Sequence, residues 1–142
     1  MARDVAAELE IRNLIDRVQQ MVDMGELDEY LALFTDDAVW TNPGNAALGT
    51  PPDERRGKDA IRAGVIERRA AGVQGPGTNT RHFGSTMWVD HDGGDTAVTV
   101  SYFQYFTNTD TSPTLRTVGH YRHTVVRTPA GWKVSRRDLF PG

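Results

Sequence analysis

The sequence predicts an α+β domain in which N-terminal helices pack on a curved antiparallel sheet. Apolar residues recur with helical spacing in the first half of the 142-residue chain and alternate with polar residues in the second half. Helices that precede a run of strands are typical of α+β domains, since α/β folds alternate the two. The chain contains no internal repeat or low-complexity tract, so residues 1–142 are predicted to form one domain.

Three helices are predicted in the first half. The first covers residues 9–22, whose apolar side chains follow the spacing of an amphipathic helix. The second covers residues 27–34 and the third residues 58–71. Between the second and third we predict a short strand over residues 38–41 and a loop over residues 45–56, which is rich in glycine, proline and charge.

Four strands in the second half predict an antiparallel meander. Residues 81–89 alternate in polarity and lead into an Asp-Gly-Gly-Asp turn. A long β-branched and aromatic strand follows over residues 96–107. The last two strands are predicted over residues 115–127 and 132–139, joined by a Thr-Pro-Ala-Gly turn.

Composition excludes several classes of protein. The net charge is −3 and the 16 Lys and Arg residues are dispersed, so neither nucleic acid nor an anionic membrane is expected as a partner. No stretch approaches the roughly 20 apolar residues of a membrane span, and the first residues lack the apolar core of a signal peptide. The absence of cysteine excludes thiolate chemistry. We therefore expect a cytoplasmic protein.

Two residues are the candidates for catalysis. His82 opens a predicted strand in T-R-H-F, and Asp23 lies at the end of the first helix in M-V-D-M-G. A carboxylate that orients an imidazole forms a general base at neutral pH. The alternative for His82 is a histidine at the end of a strand that is hydrogen-bonded to backbone, and the alternative for Asp23 is a solvent-exposed acid at the end of a helix. On an ideal helix Asp23 lies roughly 140° from the centre of the apolar stripe, which favours exposure.

Six further residues are candidates for substrate binding. Tyr105, in phase with Ser101 and Phe103 on its strand, offers a phenol to a developing oxyanion, or is a core aromatic residue. Arg137 offers a cation to an anionic substrate or leaving group, or is a surface charge beside Arg136. Apolar walls for a ring-shaped substrate, or alternatively parts of the core, are Trp40, Phe83, Trp88 and Phe103.

The sequence predicts neither a metal nor a nucleotide cofactor. His91 lies in a turn, and His120 and His123 are three apart on a strand and so point to opposite faces. The glycines of residues 72–77 follow a helix, whereas phosphate-binding glycine loops follow a strand. No G-x-S-x-G nucleophile motif occurs.

Five runs of residues together resemble a known family. In chain order they are M-G-E-L-D-E-Y-L-A-L-F-T-D-D-A-V-W, G-K-D-A-I, R-H-F, G-H-Y and G-W-K-V. They resemble the SnoaL-like branch of the nuclear transport factor 2-like superfamily over nearly the whole chain. The resemblance implies a cone of three helices over a strongly bent sheet that encloses a pocket. It also implies a homo-oligomer, a dimer or trimer, with the exposed sheet face as the contact.

Within this superfamily the residues discriminate between mechanisms. Ketosteroid isomerases carry a basic Asp before the Pro that follows F-x-D-D-A, whereas this chain has Asn42, which cannot accept the proton. The limonene epoxide hydrolase-like enzymes have an Arg-x-Asp on a strand, which here reads S-Y-F-Q-Y-F. Neither mechanism is favoured.

A third subgroup fits the residues better. Scytalone dehydratase, bile acid 7α-dehydratase and hexachlorocyclohexane dehydrochlorinase pair an Asp near the end of the first helix with a His that opens the strand after the third. The matching residues are Asp23 and His82. The dehydratases add tyrosines near the Asp, whereas its neighbours here are Val18, Gln19 and Val22.

Taken together, residues and resemblance predict a cofactor-independent lyase, either a dehydratase or an eliminase, or else a cyclase of the polyketide type. The substrate is expected to be small, mostly apolar and cyclic. The alternative is a non-catalytic ligand-binding or oligomerisation domain, because the fold alone does not select the chemistry.

Overall fold

A computed structural model of the protein describes residues 2–142. Its helices are α1 (Val5–Met24), α2 (Leu27–Leu31) and α3 (Lys58–Ala70), and a short 3₁₀ helix covers Ala46–Leu48. Its strands are β1 (Phe34–Asn42), β2 (Asp53–Arg56), β3 (Arg81–His91), β4 (Thr96–Thr107), β5 (Thr114–Thr128) and β6 (Gly131–Pro141). They form one six-stranded sheet in the order β2-β1-β6-β5-β4-β3, in which β1 runs parallel to β6 and the other pairs are antiparallel. The predicted α+β class and the four-strand meander, β3 to β6, are confirmed.

Helix α1 packs along the sheet and supplies much of the core. Asp4 begins the helix, because its carboxylate accepts a hydrogen bond from the backbone N–H of Ala7 at 3.0 Å. Ile11 and Val18 are completely buried on the apolar stripe, as the spacing predicted. No helix within residues 2–142 combines the length and apolar character needed to cross a membrane.

Several element boundaries differ from the predictions, and two of the differences have a clear physical reason. The second helix ends at Leu31 and not at residue 34, because Phe34 already belongs to β1 and pairs with Val134 of β6. The predicted loop over residues 45–56 contains β2, which pairs with β1 in an antiparallel register. Its sequence, Asp-Glu-Arg-Arg, lacks the alternation of apolar and polar residues by which strands are predicted.

Irregularities in two strands decide which side chains face the interior. The register between β3 and β4 shifts between Ser85 and Trp88, where Thr86 adopts a left-handed φ of 50°. Between β5 and β6, Val134 opposes Val125 and Arg136 opposes Thr124, so β6 has one more residue than β5 at this point. An extra residue in one strand reverses the alternation of side chains beyond it. On β6 this reversal turns Arg137 inward.

Candidate functional site

Asp23 and His82 form a hydrogen-bonded pair inside the cone. The Asp23 Oδ1 atom lies 2.7 Å from Nδ1 of His82, and Oδ2 accepts the backbone N–H of the same residue at 2.7 Å. The carboxylate thus fixes both the ring and the strand that carries it. The exposed fraction is 11% for the His82 side chain and 3% for that of Asp23.

Asp23 is buried although its position on the helix predicted exposure. The first residues of β3 lie across the last turn of α1, where they cover the flank that faces away from the apolar stripe. The buried residues at this end of α1 accordingly include Gln19, Met21, Val22 and Asp23. The exposure predicted for Asp23 from its helical phase is wrong, because β3 covers a flank of α1 that lies outside the apolar stripe.

His82 lines a cavity of about 240 Å³ in the mouth of the cone. The other lining residues come from β1 and its following loop, from Val73, and from β4, β5 and β6: Asn42, Gly44, Asn45, Leu48, Thr50, Phe103, Tyr105, Thr117, Leu139 and Pro141. Because Nδ1 of His82 is held by Asp23, Nε2 is the ring nitrogen left for a ligand, and it has no hydrogen-bond partner among residues 2–142.

Tyr105 and Phe103 both line the cavity, beside His82. The Tyr105 ring lies 4.6 Å from the His82 ring and the Phe103 ring 6.4 Å from it, measured between centroids. The Tyr105 hydroxyl donates a hydrogen bond to the carbonyl oxygen of Val73 at 2.7 Å, so its proton is engaged with the loop after α3. Burial, followed by the nearby Asp23 carboxylate, raises the pKa of Tyr105.

A second, more polar opening lies on the other side of the pair. This groove of about 370 Å³ runs between α1 and the start of β3. Its lining residues are Asp16, Gln19, Gln20, Asp23, Met24, Arg81, His82, Phe83 and Gly84. His82 therefore stands in the wall between the cavity and the groove.

Trp40 and Arg137 lie deeper than the cavity and do not line it. They are register partners on β1 and β6, and both are buried. The guanidinium of Arg68 stacks over the Trp40 ring at 4.2 Å. The alternative that Arg137 is a surface charge beside Arg136 is excluded, since only 2% of Arg137 is exposed.

Arg137 has an unusual environment for a buried cation. Its Nη1 lies 2.7 Å from Nε2 of His123, its Nη2 lies 3.4 Å from Oε1 of Gln19, and its guanidinium lies 3.9 Å above the ring of Tyr121. Within residues 2–142, no carboxylate lies within ion-pair distance of it. Burial, and next the Arg137 charge, hold the pKa of His123 well below its usual range.

Phe83 and Trp88 lie on the outer face of the sheet, contrary to their expected place in the wall of the pocket. Phe83 follows the inward-facing His82 on β3 and so points outward, where it borders the groove. Trp88 is 74% exposed. Without the irregularity at Thr86 it would share the inner face with His82, and the extra residue turns it outward.

Two residues have places in the structure that the sequence did not predict, His123 in the interior and Asn42 in the cavity wall. His123 was weighed only as a metal ligand, although its alternation with Tyr121 and Val125 on β5 would have placed it inside. His120 lies on the opposite face, stacked on Phe140. Within residues 2–142 no group of three His, Cys, Asp or Glu side chains is placed to hold a metal ion. Asn42 was weighed only as an absent base, yet it lines the cavity.

Comparisons with solved structures place this architecture among known folds. A protein of unknown function with a cystatin-like fold from Nostoc punctiforme PCC 73102 is 19% identical, with a TM-score of 0.81 over 100% of this chain and 96% of that one. A provisionally named aromatic ring hydroxylase from Novosphingobium aromaticivorans is 25% identical, with a TM-score of 0.76 over 99% and 92% of the two chains. A provisionally named scytalone dehydratase from the same organism is 20% identical, with a TM-score of 0.73 over 97% and 85%.

These structures share a fold but carry different functional names. No curated protein matches the sequence. The family model of the SnoaL-like domain, in contrast, matches residues 3–138, nearly the full length. The chain therefore belongs to the SnoaL-like domain family, within the nuclear transport factor 2-like superfamily.

Proposed function

We propose that the protein is a cofactor-independent lyase, or a cyclase, in which His82 acts as the general base on a small, mostly apolar, cyclic substrate. The observation that carries this proposal is the contact between His82 and Asp23 at the wall of the cavity. A buried carboxylate bound to one nitrogen of an imidazole leaves the other nitrogen available to accept a proton.

The proposed step begins with a ligand C–H bond presented to Nε2 of His82. The imidazole takes the proton, and Asp23 stabilises the imidazolium that forms. The electron pair of the broken bond then either expels a leaving group from the neighbouring carbon or attacks an electrophilic carbon of the same molecule. The first outcome is an elimination and the second a ring closure. In an elimination that releases water, the imidazolium returns its proton to the departing hydroxyl group.

The cavity supports a ring-sized, mostly apolar ligand. Phe103 and Leu139 contribute apolar surface next to His82, and Tyr105 lies against the imidazole. Small-molecule sites typically combine such apolar walls with a few polar groups that fix orientation. The same features would serve a non-catalytic binding domain, which is the alternative.

The test compares His82→Ala with His120→Ala on a panel of hydroxylated or halogenated cyclic ketones, followed by mass spectrometry of the products. We expect the His82 variant to lose turnover by about 10²–10⁴-fold, the usual contribution of a general base. His120 lies on the outer face, so its variant should turn over normally. Both should unfold cooperatively near the wild-type temperature.

Turnover retained by the His82 variant would contradict the proposal. Ligand binding without turnover by any of the three proteins would favour the binding domain.

A further inference from the structure

Two asparagines, one at the end of β1 and one in the loop that follows it, line the same cavity as His82. Asn42 is the last residue of β1, and Asn45 precedes the 3₁₀ helix. Both side chains are half-buried and belong to the cavity wall. Neither is used in the mechanism described above.

The backbone fixes the orientation of each amide. The N–H of Gly44 donates to Oδ1 of Asn42 at 2.9 Å, and the N–H of Ala47 donates to Oδ1 of Asn45 at 3.1 Å. A backbone N–H can only donate, so the atom it meets is the carbonyl oxygen of the side chain. The amide nitrogen remains, and neither Nδ2 has a hydrogen-bond partner among residues 2–142. Each asparagine therefore has donors left over for a ligand.

The loop holds these amides in place before any ligand arrives. Asn45 and Thr50 exchange two backbone hydrogen bonds, at 2.9 and 3.0 Å. Gly44 has a φ of +75°, and a Cβ at that position would lie 2.5 Å from the carbonyl oxygen of Thr50, so only glycine fits. Donors fixed in advance stabilise charge without reorganisation during the reaction.

We propose that Asn42 and Asn45 bind the acceptor oxygen of the ligand in this cavity, and that the substrate class is therefore a small cyclic carbonyl compound. The inference rests on the proposed function, in which His82 removes a proton from the carbon beside that carbonyl. The electron pair of the C–H bond moves toward the carbonyl oxygen, and the two amides bind the enolate oxygen that forms. In a loss of water, the imidazolium then returns its proton to the departing hydroxyl group. In a ring closure onto a second carbonyl carbon, the π electrons of that carbonyl move to its oxygen, which takes the proton from the imidazolium.

The test measures binding with Asn42→Asp and Asn45→Asp. An aspartate still accepts the N–H of Gly44 or Ala47, so the loop conformation is kept, whereas the donor is replaced by a negatively charged acceptor. Asn13→Asp on the exposed face of α1 adds the same charge outside the site and serves as the control. The probes are cyclohexanone labelled with ¹³C at the carbonyl and methylcyclohexane, a ligand of similar size without an acceptor.

We expect the dissociation constant of cyclohexanone to rise by about fivefold to tenfold or more in each site variant, the effect of one lost hydrogen bond. The downfield shift of the ¹³C carbonyl signal of bound cyclohexanone should be lost in the same variants. Methylcyclohexane binding should not change, and the Asn13 variant should match the wild type for both probes.

His82→Ala separates this inference from the proposed function. The variant should bind cyclohexanone with the wild-type carbonyl shift, although it loses turnover of the substrate found by the product assay. Three results would overturn the inference: wild-type protein that does not bind cyclohexanone, wild-type affinity in both site variants, or an equal loss of affinity for methylcyclohexane.

Discussion

The interior of the cone contains two histidines with opposite partners. His82 meets a carboxylate through Nδ1, and His123 meets a guanidinium through Nε2, each at 2.7 Å. Because an ionised carboxylate only accepts, Nδ1 of His82 is the donor in this contact, and Nε2 has no hydrogen-bond partner among residues 2–142. Because a guanidinium only donates, the lone pair on Nε2 of His123 is already occupied. In the proposed function, the neighbour and not the residue type therefore determines which imidazole acts as the base.

His123 in turn has a distinct effect on Arg137. A carboxylate at the position of His123 would cancel the buried charge of Arg137. A neutral imidazole instead orients the guanidinium and leaves its charge in place. The cation lies over Tyr121, whose ring packs against Phe103 in the cavity wall at 4.7 Å. Its remaining contact, Gln19, lies one helical turn before Asp23 on α1. The Asp23–His82 pair and the Arg137–His123 pair therefore place a carboxylate and a guanidinium along one side of α1.

Among the substitutions that test this comparison without removing a histidine, the largest effect is expected from removing the charge of Asp23 alone. Asp23→Asn keeps an acceptor for His82 but cannot stabilise the imidazolium, so kcat should fall by about 10²-fold or more. Asp16→Asn provides the control, since Asp16 is an exposed carboxylate that lines the groove from the same helix. Steady-state kinetics with a substrate found by the product assay would measure both. An unchanged kcat in the Asp23 variant would remove the distinction between the two histidines.

A smaller effect is expected from the pH dependence of stability at His123. Its pKa in the folded protein is well below its value of about 6.5 in the unfolded chain, so below that pH unfolding takes up a proton. The free energy of unfolding should therefore decrease as the pH falls from 6.5, by up to about 1.4 kcal/mol per pH unit from this group.

Urea unfolding of the wild type and His123→Gln between pH 7 and pH 5 would isolate this contribution. Glutamine offers Arg137 a neutral acceptor without a titratable proton, so the variant should lack that part of the slope. Parallel curves for the two proteins would show that His123 is not held neutral by the fold.

The smallest effect is expected at Thr99, whose hydroxyl lies 3.5 Å from Nδ1 of the buried His123. Such a long hydrogen bond contributes little, so Thr99→Val should lower the free energy of unfolding by about 1 kcal/mol or less. The pH slope assigned to His123 should persist in this variant. A loss of that slope would show that Thr99, and not Arg137, determines the protonation of His123.

The sequence predicted the architecture, and the resemblance to the dehydratases suggested that Asp23 pairs with His82, but neither predicted how the two residues are buried. The period of the apolar residues predicted the helices and the meander. The helical phase of Asp23 pointed outward, because the coverage by β3 is a tertiary contact that a single helix does not encode.

Strand irregularities explain the positions of two side chains, Trp88 and Arg137, that a uniform alternation would place on the wrong face. A uniform alternation along β3 would turn Trp88 inward, and a uniform alternation along β6 from Trp132 and Val134 would turn Arg137 outward. Bulges reverse both positions and leave little trace in the sequence. The donor role proposed for Asn42 rests on the hydrogen bond that its side chain accepts from Gly44, a contact set by the loop conformation and not by a local sequence pattern.

The most direct measurement of the central claim is the exchange of solvent deuterium into the acidic C–H bond of a bound cyclic ketone, followed by NMR. The wild type should catalyse the exchange, because His82 lines the cavity and its Nε2 has no hydrogen-bond partner among residues 2–142. His82→Ala should reduce the exchange to the rate seen without protein, whereas His123→Gln should retain it. Exchange that survives in the His82 variant, or that is absent from the wild type, would contradict the assignment of His82 as the base.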